Sequence, residues 1–139
     1  MKGFENRDRH CVINDDIVNS CIDTMTEADG FILGSPVYFL DFTTEMKALI
    51  DRAGFVSYAN GHPFRRTVGN AVVAVRRTGA SLTIDSLLHF FLANDMFVPG
   101  FPVIGVGREI GDVEQNEEGI QHAKGVGQNV AWLLLTMNH

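Results

Sequence analysis

Residues Asp29–Arg52, DGFILGSPVYFLDFTTEMKALIDR, decide how the chain folds. The apolar run from Gly30 to Gly34 is too short for a helix and reads as a buried strand. Gly34 lets the backbone turn or be approached closely, and Pro36 has no N–H to continue a ladder and biases Ser35 away from helix. The strand is therefore expected to stop here, leaving Val37, Tyr38 and Phe39 in a loop. Met46, Ala48, Leu49 and Ile50 then mark a helix, with Asp41 or Thr43 available as its N-cap. A buried strand, an outward aromatic loop and a helix form one unit of a parallel α/β sheet.

The same alternation extends in both directions. Asn14-Asp15-Asp16 supplies a helix start, followed by Ile17, Val18, Cys21, Ile22 and Met25 at helical spacing. Beyond a loop over roughly Tyr58 to Gly69, Ala71 to Val75 is a second apolar strand. Ser81 to Phe97 keeps helical spacing through Ile84, Leu87, Leu88, Phe91 and Leu92, and Pro99-Gly100 ends it. Pro102 to Gly107 gives a third strand, and Glu117 to Met137 a closing helix with Ile120, Ala123, Val130, Ala131 and Leu134 inward. Strands apolar on both faces and alternating with helices imply a parallel sheet covered by helices on both faces, with right-handed crossovers. Ligands of such sheets sit beyond the carboxyl ends of the strands, which places function at Ser35 to Phe42, Arg76 to Ser81 and Val106 to Asp112.

Composition narrows the classes. The 139 residues suit one domain spanning 1–139, and 45% hydrophobic with 20% charged residues is ordinary for a globular fold. A net charge of -6 argues against nucleic acid or anionic lipid as partners, since phosphate binding needs clustered Lys and Arg. No apolar stretch approaches the roughly 20 residues that span a bilayer, and Met1 to His10 is too polar for a signal segment, so no membrane association and a cytoplasmic location are expected. Cys11 and Cys21 read as structural thiols, and the five histidines show no metal-ligand spacing, so no metal site is expected. No side chain stands out as catalytic.

At the end of the first strand, Val37, Tyr38 and Phe39 form an apolar and aromatic lip that can contact a flat ring, while free backbone groups can bond its polar edge. A flavin has both features. Spacing alone supports equally a plain strand-to-helix turn whose aromatics pack on the following helix. Thr43 and Thr44 read as helix-starting residues, and Arg76 as a solvated turn.

The segments ADGFILGSPVYF and TTEMKALIDR, with NAVVAVRRTGAS, VIGVG and NEEGIQHAKGVGQNVAWLL, resemble the flavodoxin-like NAD(P)H-dependent FMN reductases, a group that includes iron-sulfur flavoproteins and related quinone reductases. The resemblance implies a flavodoxin-like fold with FMN as cofactor and NAD(P)H as co-substrate. It assigns Ser35, Pro36, Val37, Tyr38 and Phe39 to the loop lining the isoalloxazine ring, and Arg77, Thr78, Gly79 and Ala80 to the second flavin loop. It implies hydride passing from NAD(P)H through the flavin to a quinone, flavin or other small-molecule electron acceptor. The family's amino-terminal strand and phosphate-binding loop have no counterpart in this sequence, so three strands are expected from an N-terminally incomplete domain. Cys11 matches the last cysteine of the cluster found in iron-sulfur flavoproteins, without its upstream partners. The first strand should then present an open apolar edge, which favours a homo-oligomer. The alternatives are a non-catalytic interaction module that has lost FMN phosphate binding, and a flavin electron carrier.

Overall fold

The structure, a computed structural model, describes residues 9–137. Three parallel strands lie in the order β1-β2-β3: β1 at Gly30–Pro36, β2 at Val68–Val75 and β3 at Val103–Val106. The helices are α1 at Val18–Glu27, α2 at Thr44–Ala59, α3 at Ala80–Ala93 and α4 at Glu117–Met137, with a short 3-10 turn at Asp112–Gln115 before α4. A helix followed by three strand–helix pairs is the order expected, and the architecture is a flavodoxin-like α/β fold.

The expected break at Gly34 does not occur. β1 runs through Ser35 to Pro36, which pairs with Ala74. The reason lies in the side of the strand that donates. Val37 N–H donates to Ala74 O at 2.8 Å, so by the alternation of a strand the N–H groups of Leu33 and Ser35 also face β2. Those of Ile32 and Gly34 face the free edge, as would that of residue 36, so a proline there costs the ladder nothing. β2 likewise starts earlier than expected, at Val68. α3 ends earlier, at Ala93, because Phe97 is drawn onto the sheet: its N–H donates to Thr67 O at 3.0 Å and its O accepts from Gly69 N at 2.8 Å.

Helices lie on both faces but cover them unequally. On one face Leu33, Ala71 and Val73 join Ile22, Met25, Ile50, Ala53, Val56, Ile84, Leu87 and Phe91 in a single core. On the other, α4 packs on β3 and the near side of β2, leaving Ile32 and Val72 partly exposed. Ile120 and Ala131, expected inward on α4, are exposed, and the buried positions of that helix are Gly119 and Val126.

The amino-terminal segment is fastened to α2 by one side chain. Arg52 donates from Nη1 to Asp16 Oδ2 at 2.5 Å, from Nη2 to Ile13 O at 2.6 Å and from Nε to Cys11 Sγ at 3.2 Å. Its hydrogen bond holds the Asp16 carboxyl below its ordinary range.

Phe91 is fully buried, and its ring lies 5.8 Å from Phe90 and 6.1 Å from Phe31. Phe91→Ala is expected to cost about 3–5 kcal/mol in urea unfolding, whereas Leu92→Ala, at an exposed neighbouring position, should stay within about 0.5 kcal/mol. Equal midpoints for the two variants would show the core to be misplaced.

Candidate functional site

Because the strands are parallel, Pro36, Val75 and Val106 end on one rim. Val75 pairs with Val106, and Gly107 N–H donates to Val75 O at 3.0 Å, so the last two loops leave the sheet side by side. Between them and the loop after β1 lies a cavity of about 650 Å³ lined by Val37, Phe39, Leu40, Arg76, Arg77, Thr78 and Arg108. Its size is that of a small-molecule site.

The first wall is a tight turn. Tyr38 N–H donates to Asp41 O at 2.8 Å and Asp41 N–H to Tyr38 O at 3.2 Å, closing a two-residue hairpin. Phe39 and Leu40, its central residues, have φ of 48° and 78°. Two positive values in succession are the mark of a type I′ turn, which normally takes Asn or Gly. Side chains with a Cβ are strained there by roughly 1–3 kcal/mol each, a cost associated with ligand loops. The turn leaves the Phe39 ring fully exposed at the cavity.

Ser35 and Thr43 brace this turn from below. Ser35 is buried, and its Oγ accepts from Thr43 N at 3.2 Å while donating to Pro36 O at 2.8 Å. Thr43 is the N-cap of α2, its Oγ1 accepting from Met46 N at 3.2 Å.

The second wall runs from Arg76 to Gly79. Gly79 has φ of 99°, and a Cβ there would stand 2.7 Å from Leu40 Cα and 2.8 Å from Val37 Cγ1. The missing side chain lets the two loops touch. Gly79 also precedes α3 without a side-chain cap, leaving the helix's first N–H groups open to the rim. The third wall is Arg108. Asp112 Oδ2 accepts from the N–H groups of Glu109 and Arg108 at 3.0 Å each, and these bonds hold its carboxyl below the usual range.

The backbone N–H groups of Phe39, Leu40, Arg77 and Thr78 donate to no acceptor among the described residues. With the Val37, Phe39 and Leu40 side chains, they provide an apolar surface bordered by donors. That donor set fits a flavin ring, whose body is apolar and whose pyrimidine edge carries acceptor oxygens.

Of the residues assigned from sequence, Val37, Phe39, Arg77 and Thr78 line the cavity together. Ser35 lies buried beneath it, Gly79 joins its two loops, and Pro36, Tyr38 and Ala80 stand beside it without lining it. Arg76, which local sequence marks only as a solvated turn, lines it as well, together with Leu40 and Arg108. The nearness of Arg108 depends on the Val75–Val106 register, which local sequence does not reveal.

Residues 2–109 match the NADPH-dependent FMN reductase family. The chain belongs to that family. It is 38% identical over 130 residues to an iron-sulfur flavoprotein of Methanocaldococcus jannaschii, covering 87% of this chain and 66% of that protein. It is 32% identical over 108 residues to an iron-sulfur flavoprotein of Methanosarcina thermophila, covering 76% of this chain and 53% of that one. The chain thus spans between half and two thirds of these relatives' length. Among solved structures, RosB with bound 8-demethyl-8-formylriboflavin-5′-phosphate aligns with a TM-score of 0.74 at 15% identity, over 90% of this chain and 54% of RosB. The Trp repressor binding protein of Bacillus subtilis aligns at 0.67 with 19% identity, over 77% of this chain and 73% of that one. These likenesses establish the flavodoxin-like fold.

Gly79→Ala should lower unfolding stability by about 1–3 kcal/mol, because φ is positive and the added methyl meets Leu40 and Val37. Gly61 has φ of 76° and no atom within 4 Å of where a methyl would stand, so Gly61→Ala isolates the backbone part of that cost. Chemical denaturation should show the larger loss for Gly79→Ala; equal losses would mean that the loops do not touch there.

Proposed function

We propose that this chain carries the flavin-ring site of an FMN-dependent oxidoreductase, taking reducing equivalents from NAD(P)H and delivering them to a small-molecule acceptor. The observation that carries this reading is the cavity in which an apolar wall meets backbone donors from two strand-end loops that have no acceptor among the described residues. Family membership and the flavin phosphate bound in the fold neighbour RosB support it.

Bound FMN would supply the redox chemistry, accepting hydride and then giving up two electrons. Val37, Phe39 and Leu40 would hold the ring against the rim and exclude water from that side. The N–H groups of Arg77 and Thr78, with the Arg77 guanidinium, would favour negative charge at the pyrimidine edge. The protein positions and polarises, and no side chain need act as acid or base.

A purified sample mixed with FMN and passed through gel filtration should retain a perturbed flavin spectrum, and NADPH should bleach it under anaerobic conditions. Phe39→Asp should weaken FMN binding about tenfold or more, and Tyr38→Asp less, because Phe39 alone of the pair lines the cavity. A colourless eluate at saturating FMN would refute the reading.

A second reading, self-association, rests on the open edge of β1. No strand of the described residues pairs with its outer side, where the N–H groups of Ile32 and Gly34 point, and Ile32 is 52% exposed. Two such edges related by a two-fold axis would pair antiparallel and bury both. Light scattering should then give a dimer mass, and Gly34→Pro, which removes an outward donor, should shift it to monomer; a wild-type monomer at high concentration would exclude this pairing.

A further inference from the structure

We propose that Ser35 is the positioning residue of the ring wall: without lining the cavity itself, its hydroxyl sets where the loop of residues 37–42 stands, through Thr43 N and Pro36 O. This rests on the oxidoreductase reading of the cavity, and it replaces the place in the ring lining that the family resemblance assigns to Ser35.

Ser35 is 5% exposed and does not line the cavity, whereas the loop that follows lines it through Val37, Phe39 and Leu40. No residue from Val37 to Phe42 is buried, and only Val37 and Phe42 among them pack partly on the core. Packing therefore holds the loop weakly, and hydrogen bonds decide where it stands. Val37 N fixes its start on Ala74 O, while the Tyr38–Asp41 pair and the bond from Phe42 N to Asp41 Oδ1 shape it internally. None of these ties its far end to its near end. The Ser35 hydroxyl does so, accepting from Thr43 N at 3.2 Å across eight positions of sequence. Phe39 and Leu40, at φ of 48° and 78°, would relax if the two ends could separate, and this bond opposes the separation.

The same hydroxyl donates to Pro36 O at 2.8 Å. Pro36 pairs with Ala74 while Val37 N–H reaches Ala74 O, so the Pro36 carbonyl points to the outer edge of β1, away from β2. Proline has no N–H, and here its carbonyl is already engaged. The outer edge of β1 is thus blunted at the residue where the loop begins. A buried hydroxyl carries a desolvation cost that two backbone partners offset. Alanine would fill the same place without that cost, so the hydroxyl is accounted for by what it bonds and not by packing.

The test compares wild type with Ser35→Ala, Ser35→Thr and Ile22→Val, the last a conservative change at a buried residue of α1 that does not line the cavity. Amide hydrogen exchange is read without flavin, and FMN affinity and the visible circular dichroism of bound FMN are read by titration. Ser35→Ala should speed exchange at Thr43 and weaken FMN binding, each about five- to tenfold, and should change the flavin signal. Ser35→Thr keeps the hydroxyl on a side chain suited to a strand and should restore all three. Ile22→Val lowers stability away from the loop and should leave them as in wild type. Wild-type affinity with an unchanged flavin signal in Ser35→Ala, or equal losses in Ser35→Ala and Ile22→Val, would overturn the positioning role and leave the oxidoreductase reading standing. If wild type binds no FMN, the oxidoreductase reading fails, and exchange at Thr43 still decides whether Ser35 sets the loop. Should Ser35→Ala not fold, Ser35→Cys, which keeps the volume and bonds weakly, takes its place.

Discussion

The register of β2 against its neighbours is the constraint on which the rest of the structure depends. Pro36 is held level with Ala74 and Val75 with Val106, so three chain exits lie on one rim. A slip of one residue would exchange the buried face of Ala71, Val73 and Val75 for the face of Val72 and Ala74, and would also separate Arg108 from Arg76. The apolar alternation that builds the core therefore also fixes the spacing of the loops. Packing and site geometry are two consequences of one pattern.

What the loops do with that placement is decided by small backbone features. Ser35, buried under the turn, ties the end of β1 to the start of α2 through Thr43 N. Phe39 and Leu40 accept positive φ values that suit neither residue, and Gly79 gives up a side chain so that the second loop reaches the first. The strain in the turn is sustained by bonds on both sides of it, Val37 to Ala74 and Tyr38 to Asp41. An exposed aromatic held in this way is poorly accounted for by packing within the chain, since Phe39 buries nothing. Its position is understandable as the wall of a ligand site.

Element order and the location of the site are legible in the sequence because both depend on local signals. Apolar runs flanked by Gly and Pro mark three strands, and the rule that parallel sheets bind at their carboxyl ends points to all three loops. Less legible is anything set by distant partners. Pro36 resembles a strand terminator because its effect depends on which side of the strand faces β2, and α3 reads as longer because the pull of Phe97 toward Thr67 and Gly69 is a tertiary contact. Ile120 and Ala131 of α4 look inward by spacing yet lie exposed, since periodicity marks an apolar stripe without saying what covers it. Arg76 and Arg108 cannot be joined from sequence, as 32 positions separate them and only the sheet register brings them together.

That separation bears on how the cavity divides its work. Arg77 and Thr78 follow β2, the strand flanked on both sides, and their free N–H groups lie where Gly79 anchors the loop. Arg108 follows β3, an edge strand of four residues, in a loop pinned chiefly by the Asp112 carboxylate. The β2 side of the cavity thus rests on the central strand and on the close approach of Gly79 to Leu40 and Val37. The β3 side rests on a strand of four residues and on the two bonds that Asp112 accepts, so the two halves of the rim are built by different means, one by sheet register and loop contact and the other by a single carboxylate.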